Sequence, residues 1–426
     1  MQDSRKPLLV AVSIVVGLTL WRVGFLALNG TDLFVDESQY WFWGQNLDFG
    51  YYSKPPMIGW LIRMVTGLAG SDASFWVRLP APVLHMVTAF LLMGLARQLY
   101  GTAVSFWVGP VYIALPMVTV GSALMSTDTV MLPFLALALW MYFRLLQNPS
   151  RRYAVIMGVA IGLGLMSKYA AIYFVLGASL AAMIQPSARL RLQDIMLASL
   201  AALAAVSPNI WWNITNDATT VRHTMANANW GAGNGLNFAG AIEFFASQFA
   251  VFGPLLFAGL LWLAWRGLRG RLQNNELTLL LFSVPVVVLV SGQALMSKAY
   301  ANWAVVAYIA GTILVVQAFG KMPKLLIATQ GIHLALALVL PVLMVNPNTP
   351  RLPEGASVFQ RYIGISDVSL QARSAAEALG LTVIVARNRA FLAHLNYTLR
   401  DSNMDIYALP RAGFAGSYYE QAFPVP

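Results

Sequence analysis

The sequence predicts an all-α polytopic membrane protein carrying a small α/β appendage at its C-terminal end, and three observations carry that prediction. Hydrophobic residues make up 58% of the chain and charged residues only 10%, against about 25% charged in an ordinary soluble domain. The mean hydropathy is +0.64, and apolar runs of spanning or near-spanning length follow one another from residue 8 to residue 345. Beyond residue 345 these runs stop, prolines cluster, and short strand-like and helix-like patterns take over.

About eleven segments read as membrane helices: 8–28, 80–99, 103–121, 130–147, 152–167, 169–185, 195–212, 244–265, 277–296, 301–319 and 324–345. The first follows Arg5 and Lys6 and has no small-residue cleavage site after it, so it reads as an uncleaved helix rather than a signal peptide. Residues 1–345 form the membrane domain, with loops at 29–79 and 213–243. Pro347, Pro350 and Pro353 mark a linker over 346–355. Residues 356–426 then form the appendage, with a strand at 382–386, a helix at 389–399 and a second strand at 406–409. A unit of about 70 residues leans on its neighbour for stability. No internal repeat is visible, which weighs against inverted-repeat transporters. The absence of cysteine excludes disulfides and thiolate metal sites.

A formal net charge of +10 would point a soluble protein toward nucleic acid; here the cations sort by membrane side instead. With a cytoplasmic N-terminus, thirteen Lys and Arg side chains, from Arg5 and Lys6 to Lys321 and Lys324, fall on the inner side. Only Lys54, Arg63, Arg78, Lys168, Arg222 and Lys298 fall on the outer side. The bias predicts a multi-pass membrane protein with its N-terminus on the cytoplasmic side and its C-terminus on the opposite side. Membrane lipids are then its surroundings, and nucleic acid is not a partner. The outer loop 213–243 gathers Asn213, Asn216, Asp217, Arg222, His223, Asn227, Asn229 and Trp230 ahead of the glycines of 231–235, and such a composition predicts mobility.

The chemistry concentrates in 34–60, where Asp36, Glu37, Asp48 and Lys54 stand among aromatic residues before Pro55 and Pro56. This stretch is too polar to span a bilayer and too apolar for a solvated loop. It reads as an interfacial element, with Tyr40, Trp41, Phe42 and Trp43 forming a headgroup-level belt and the charges facing a shared cavity. Charges on the outer side are costly unless paired or wet, so two groups of carboxylates and several cations imply a site for an anionic, partly apolar substrate. Transfer of a sugar from a lipid phosphate would use both signs. Cations hold the departing phosphate, and a carboxylate on the opposite face of the sugar takes or orients the acceptor proton. Asp36 suits the carboxylate role, and Lys54, Arg78, Lys168 and Lys298 suit the cationic one. Simpler readings stand beside these: Asp128 as a helix cap, His223 as an exposed side chain, and Arg22 as a residue that snorkels or pairs inside the bundle.

Asp36, Glu37, Ser38, Gln39 and Tyr40 just after the first helix, then Tyr51, Tyr52, Ser53, Lys54, Pro55, Pro56 and Trp60, form a pattern. It continues through Arg78-Leu79-Pro80, Ser126-Thr127-Asp128, Gly162-Leu163-Gly164 and Ser167-Lys168-Tyr169. Over roughly 30–170 the chain resembles the bacterial membrane glycosyltransferases of the GT-C fold, among them lipid A aminoarabinose transferases, galacturonosyl transferases and protein O-mannosyltransferases. The resemblance implies an inverting displacement on a polyprenyl-phosphate sugar, with lipid A or another glycolipid as acceptor. A protein acceptor, or a lipid-linked sugar flippase, is the alternative. It implies catalytic roles for Asp36, Glu37 and Asp128, and donor-phosphate roles for Lys54, Arg78, Lys168 and Lys298. Tyr40, Tyr52, Arg222, His223 and Trp303 would line the substrate pocket. No cofactor is required; a divalent metal, if used, would fall to Asp36, Glu37 and His223.

Overall fold

The computed structural model describes residues 5–228 and 235–426; Asn229, Trp230 and the glycines at 231 and 233 lie outside the described residues. All eleven apolar segments are helical, with breaks that proline and glycine impose. The chain begins with α1 (Arg5–Ala27), followed by two loop helices, α2 (Val35–Gln45) and α3 (Met57–Ala69). A short α4 (Ser74–Arg78) leads into α5 (Pro80–Tyr100), and α6 (Thr102–Ala114) breaks before Pro116 into α7 (Pro116–Gly121). Then come α8 (Thr127–Gln147), α9 (Arg151–Ser167), α10 (Tyr173–Ile184), α11 (Leu192–Thr215) and α12 (Thr219–Ala228). The bundle continues with α13 (Phe238–Val251), α14 (Pro254–Leu268), α15 (Asn274–Leu281), α16 (Val284–Met296), α17 (Ala307–Phe319) and α18 (Pro323–Leu343).

Six helical stretches among the described residues are long and apolar enough to cross a membrane, and a seventh results if α13 and α14 count as one span. Those two helices do not continue each other, however: they bend by 116°. The single span expected over 244–265 is therefore corrected. Gly253 sits at φ +96° and Pro254 opens α14, so the backbone turns where no L side chain sits comfortably and no N–H continues the ladder. Elsewhere small residues draw helices together. A Cβ at Gly158 would collide with the Ala198 carbonyl, so α9 and α11 meet backbone to backbone, a contact common between membrane helices. Arg22, buried in α1, pairs inside the bundle, donating to the Ile113 carbonyl (2.8 Å), Thr119 Oγ1 (2.9 Å) and Ser122 Oγ (3.1 Å). It thereby satisfies acceptors at the break between α6 and α7.

The C-terminal unit holds α19 (Ile365–Ala378), β1 (Val383–Ala386), α20 (Arg389–Thr398), β2 (Asp405–Ala408) and α21 (Tyr418–Ala422). The strands pair in parallel, Val383 opposite Asp405 through Ala386 opposite Ala408, with α20 as the crossover. The sequence pattern left out α19 and α21. The unit is tied to the first loop at its base: Asp32 Oδ2 accepts from the Ile365 N–H (3.1 Å) and Asp32 Oδ1 from Ser366 Oγ (2.6 Å), capping α19.

Two apolar clusters organise the molecule. One is the bundle interior; the other joins Tyr40, Trp41, Trp43, Tyr51, Ile58 and Ile62 to Leu392, Ala393, Tyr418 and Tyr419. The headgroup belt expected for Tyr40, Trp41 and Trp43 is thus corrected, since these rings are buried. Trp43 stacks on Tyr51 (4.6 Å between centroids), Trp41 meets Tyr397 edge-on (5.1 Å) and Phe42 lies on Tyr419 (5.5 Å). The aromatic face of α2 is covered by protein, which removes the need for lipid.

Candidate active site

The loop that follows α1 is pinned by a buried ion pair. Glu37, in the first turn of α2, accepts the Phe34 N–H (2.8 Å) through Oε2, satisfying the backbone donor ahead of the helix, and the Met125 N–H (2.8 Å) through Oε1. Arg78, at the end of α4, donates to the same carboxylate from Nε (2.9 Å) and Nη2 (2.7 Å), and spends its other donors on Thr31 Oγ1 (2.9 Å) and the Asp32 carbonyl (2.7 Å). Both side chains are 1% exposed or less. The pair knits 31–37, α4 and the approach to α8 into one frame. Neither group faces open space, which sets them apart from the direct catalytic and phosphate contacts expected of Glu37 and Arg78.

One residue earlier on α2, Asp36 points the other way. Its Oδ1 accepts from Arg389 Nη2 (2.8 Å), while Arg389 Nη1 donates to Gln39 Oε1 (3.1 Å). Arg389 is the first residue of α20, brought here by the packing of α20 on α2. Both partners of this pair are about two-fifths exposed.

Asp128 lies in the first turn of α8. Ser126, not Asp128, caps this helix by accepting the Thr129 N–H (3.2 Å), so the Asp128 carboxylate is left for other partners. Lys168, in extended backbone just past α9, donates to both its oxygens at 2.7 and 2.9 Å. Asn302, from a short turn before α17, adds a bond to Oδ2 at 2.7 Å. The helix start, the end of α9 and the turn before α17 therefore converge on one carboxylate.

Lys54 lies within electrostatic reach of both clusters. Its side chain makes no hydrogen bond or ion pair among the described residues, yet it is half-buried and feels Lys168, Asp36, Asp128 and Arg389. Burial, then repulsion from Lys168, pull its ammonium down from 10.5 to about 8. The loop that presents it is held by α11: Trp212 Nε1 donates to Asp48 Oδ2 (2.6 Å) and Asn209 Nδ2 to the Phe49 carbonyl (2.8 Å). Tyr169 Oη in turn donates to Asn209 Oδ1 (2.7 Å).

The remaining expected residues form a second ring or stand apart. Tyr40 is buried beside Asp36, Asp128 and Glu37, and desolvation with those negative neighbours drives its hydroxyl well above the ordinary phenol value. Tyr52 rests against the His223 ring (4.9 Å between centroids) and donates to the Ala415 carbonyl (2.9 Å). His223 contacts Asn227 (2.9 Å), and burial followed by the charges of Lys54 and Arg389 lowers its imidazole to about 4, so it is neutral near pH 7. Arg222 lies over the exposed Phe414 ring (5.7 Å). Lys298 is exposed above Tyr300 (6.0 Å), and Trp303 packs on Tyr300 (5.6 Å). Asp36, Glu37 and His223 do not form a metal cluster, because the Glu37 carboxylate is fully engaged. No group of three His, Cys, Asp or Glu side chains among the described residues could hold a metal ion. Sequence reasoning missed Arg389 and Asn302: the first lies 353 residues from its partner, and the second sits beside Trp303 in a motif read only for its lysine.

A helical bundle whose helix ends converge on paired carboxylates and cations under a small α/β unit has the fold of a GT-C membrane glycosyltransferase. ArnT from Cupriavidus metallidurans in the apo state superposes with a TM-score of 0.68 at 14% identity, covering 98% of this chain and 89% of that one. The same protein bound to undecaprenyl phosphate gives 0.67 at 15% identity, covering 95% and 86%. Residues 53–212 match the family model described as dolichyl-phosphate-mannose-protein mannosyltransferase. The lipid A galacturonosyltransferase RgtD of Rhizobium johnstonii is 46% identical over 414 residues, 97% of this chain and 87% of that protein. The chain belongs to that protein's family: it is a multi-pass membrane enzyme, a glycosyltransferase of GT-C type.

Proposed function

We propose that this enzyme transfers a galacturonosyl residue from a polyprenyl-phosphate carrier to lipid A or a closely related glycolipid at the periplasmic face of the bacterial inner membrane. The single observation that carries the reading is Lys54, a half-buried cation with no partner among the described residues, within reach of Lys168, Asp36, Asp128 and Arg389. A desolvated ammonium without a counter-ion is costly, and an anionic headgroup supplies one. The names of the relatives supply the rest: a lipid A galacturonosyltransferase, and an ArnT structure containing undecaprenyl phosphate.

In this reading the acceptor hydroxyl oxygen attacks C1 of the sugar from the face opposite the phosphate. The C1–O bond breaks, polyprenyl phosphate leaves with the bonding electrons, and the hydroxyl proton passes to Asp36. Asp36 Oδ2, free of hydrogen bonds among the described residues, takes the hydroxyl while Arg389 holds Oδ1. Lys54 binds the leaving phosphate, which needs little acid assistance. Lys168 and Asn302 hold Asp128 as a second wall of the cavity; Glu37 and Arg78 act through the frame they build. All eleven apolar segments enter the bilayer, with the N-terminus cytoplasmic and the 356–426 unit periplasmic, following the cation bias.

The test is Asp36→Asn in nanodiscs. Transfer from a polyprenyl-phosphate galacturonosyl donor should vanish while donor binding and membrane insertion persist. Full activity in that variant removes Asp36 from the chemistry. Mass spectrometry of lipid A from cells with and without the gene should show a difference of one hexuronic acid unit.

A further inference from the structure

A galacturonosyl donor carries two negative groups, the phosphodiester on C1 and the carboxylate on C5, and both flank the ring oxygen. A site that accepts it needs a second cation beside the one on the phosphate. Most cations near the site are already committed. Arg78 is saturated by Glu37, Thr31 and Asp32. Lys168 is held by both oxygens of Asp128. Lys298 and Arg222 are exposed and lie over aromatic rings.

Arg389 differs. Its two protein bonds use one hydrogen from each terminal nitrogen, and Nε has no partner among the described residues. Its bond to Asp36 Oδ1 sets it beside that carboxylate, and its charge acts on both Lys54 and His223. A guanidinium with an unspent planar edge matches a carboxylate in a two-point fork, which an ammonium cannot do. Resting on the functional reading above, we infer that Arg389, delivered by the C-terminal unit, is the residue that reads the carboxylate of the donor sugar. Asp36 and Gln39 hold its inner edge and aim the remaining donors at the pyranose. The C-terminal unit is then a specificity element for the donor as well as a cover for α2.

The experiment compares polyprenyl-phosphate galacturonosyl and galactosyl donors, which differ in the carboxylate, on the full-length enzyme in nanodiscs. The readout is the ratio of their kcat/KM values. The wild type should favour the uronosyl donor, and Arg389→Gln should lower that ratio by about a hundredfold, the upper part of the range for hydrogen bonds to a charged group. Arg389→Lys, which keeps the charge without the fork, should give an intermediate ratio and reads the same quantity if the Gln variant does not fold. A ratio unchanged in either variant, with both donors slowed alike, makes Arg389 only a holder of Asp36 and overturns the inference. A wild type that prefers the galactosyl donor overturns the functional reading itself, so the two failures are distinguishable.

Discussion

Replacing Lys54 by Met tests the phosphate contact most directly. Hydrogen bonds to charged groups contribute about 1.5–3 kcal/mol. The structure favours the upper part of that range, because the ammonium is half-buried and no acceptor among the described residues competes for it. A loss of about 2–3 kcal/mol corresponds to roughly thirty- to 150-fold weaker donor binding. The apo protein should not lose thermal stability, since no acceptor is orphaned and repulsion with Lys168 is relieved. The pH dependence has a definite sign. The folded apo protein holds Lys54 near 8 and the unfolded chain near 10.5, so between those values the unfolded state binds more protons and this group's contribution to apo stability rises with pH. Donor affinity needs the ammonium and falls as pH climbs through about 8. Lys54→Arg, whose guanidinium stays charged, should flatten that fall. Polyprenyl phosphate binding to the enzyme in nanodiscs, measured across pH, reads all three effects. A Met variant that binds within about threefold of wild type, less than about 0.7 kcal/mol, refutes the assignment. So does an Arg variant whose affinity still breaks near 8.

Three further outcomes follow from the geometry. Glu37→Gln leaves Arg78 buried without a counter-charge and should cost about 3–5 kcal/mol, seen as a lower unfolding temperature in detergent, whereas pairing it with Arg78→Met should recover part of the loss. Asp128→Asn keeps the side-chain volume but weakens the hold on Lys168 and Asn302; transfer should fall about a hundredfold, within the range for a group that organises acid–base chemistry, while size-exclusion behaviour is unchanged. Leu392→Ala opens a cavity under α20 and should cost about 2–5 kcal/mol. Limited proteolysis should then release the C-terminal unit while the helical bundle resists, and transfer should fall with it.

Much of the site was legible because charge is conspicuous in an apolar chain. Asp36, Lys54, Asp128 and Lys168 stand out against their neighbours, and in the structure Lys54 lies within electrostatic reach of the other three. Partnership was not legible. Nothing at Glu37 or Arg78 in the sequence says that each saturates the other, because their pairing depends on how 31–37 folds back on α4. The aromatic run after Gln39 has the composition of a membrane belt, and only the arrival of α20 and α21 turns it into a core. The break before α14 did have a signal, the dipeptide Gly253-Pro254, but a hydropathy window averages over it. Arg389 had none: a lone arginine opening a helix is ordinary until the tertiary fold places it against Asp36.

The joining of α2 to α20 also has a consequence for biosynthesis. The ion pair between Asp36 and Arg389 spans 353 residues, and at about 5–20 residues per second a ribosome needs roughly 18 to 70 seconds to make that length. For that interval α2 has left the ribosome with Trp41 and Phe42 lacking their C-terminal ring partners and with the Asp36 carboxylate unpaired. The nascent chain cannot close this pair until its final tenth or so begins to emerge, so a product terminated before α20 lacks the tie between α2 and the C-terminal unit.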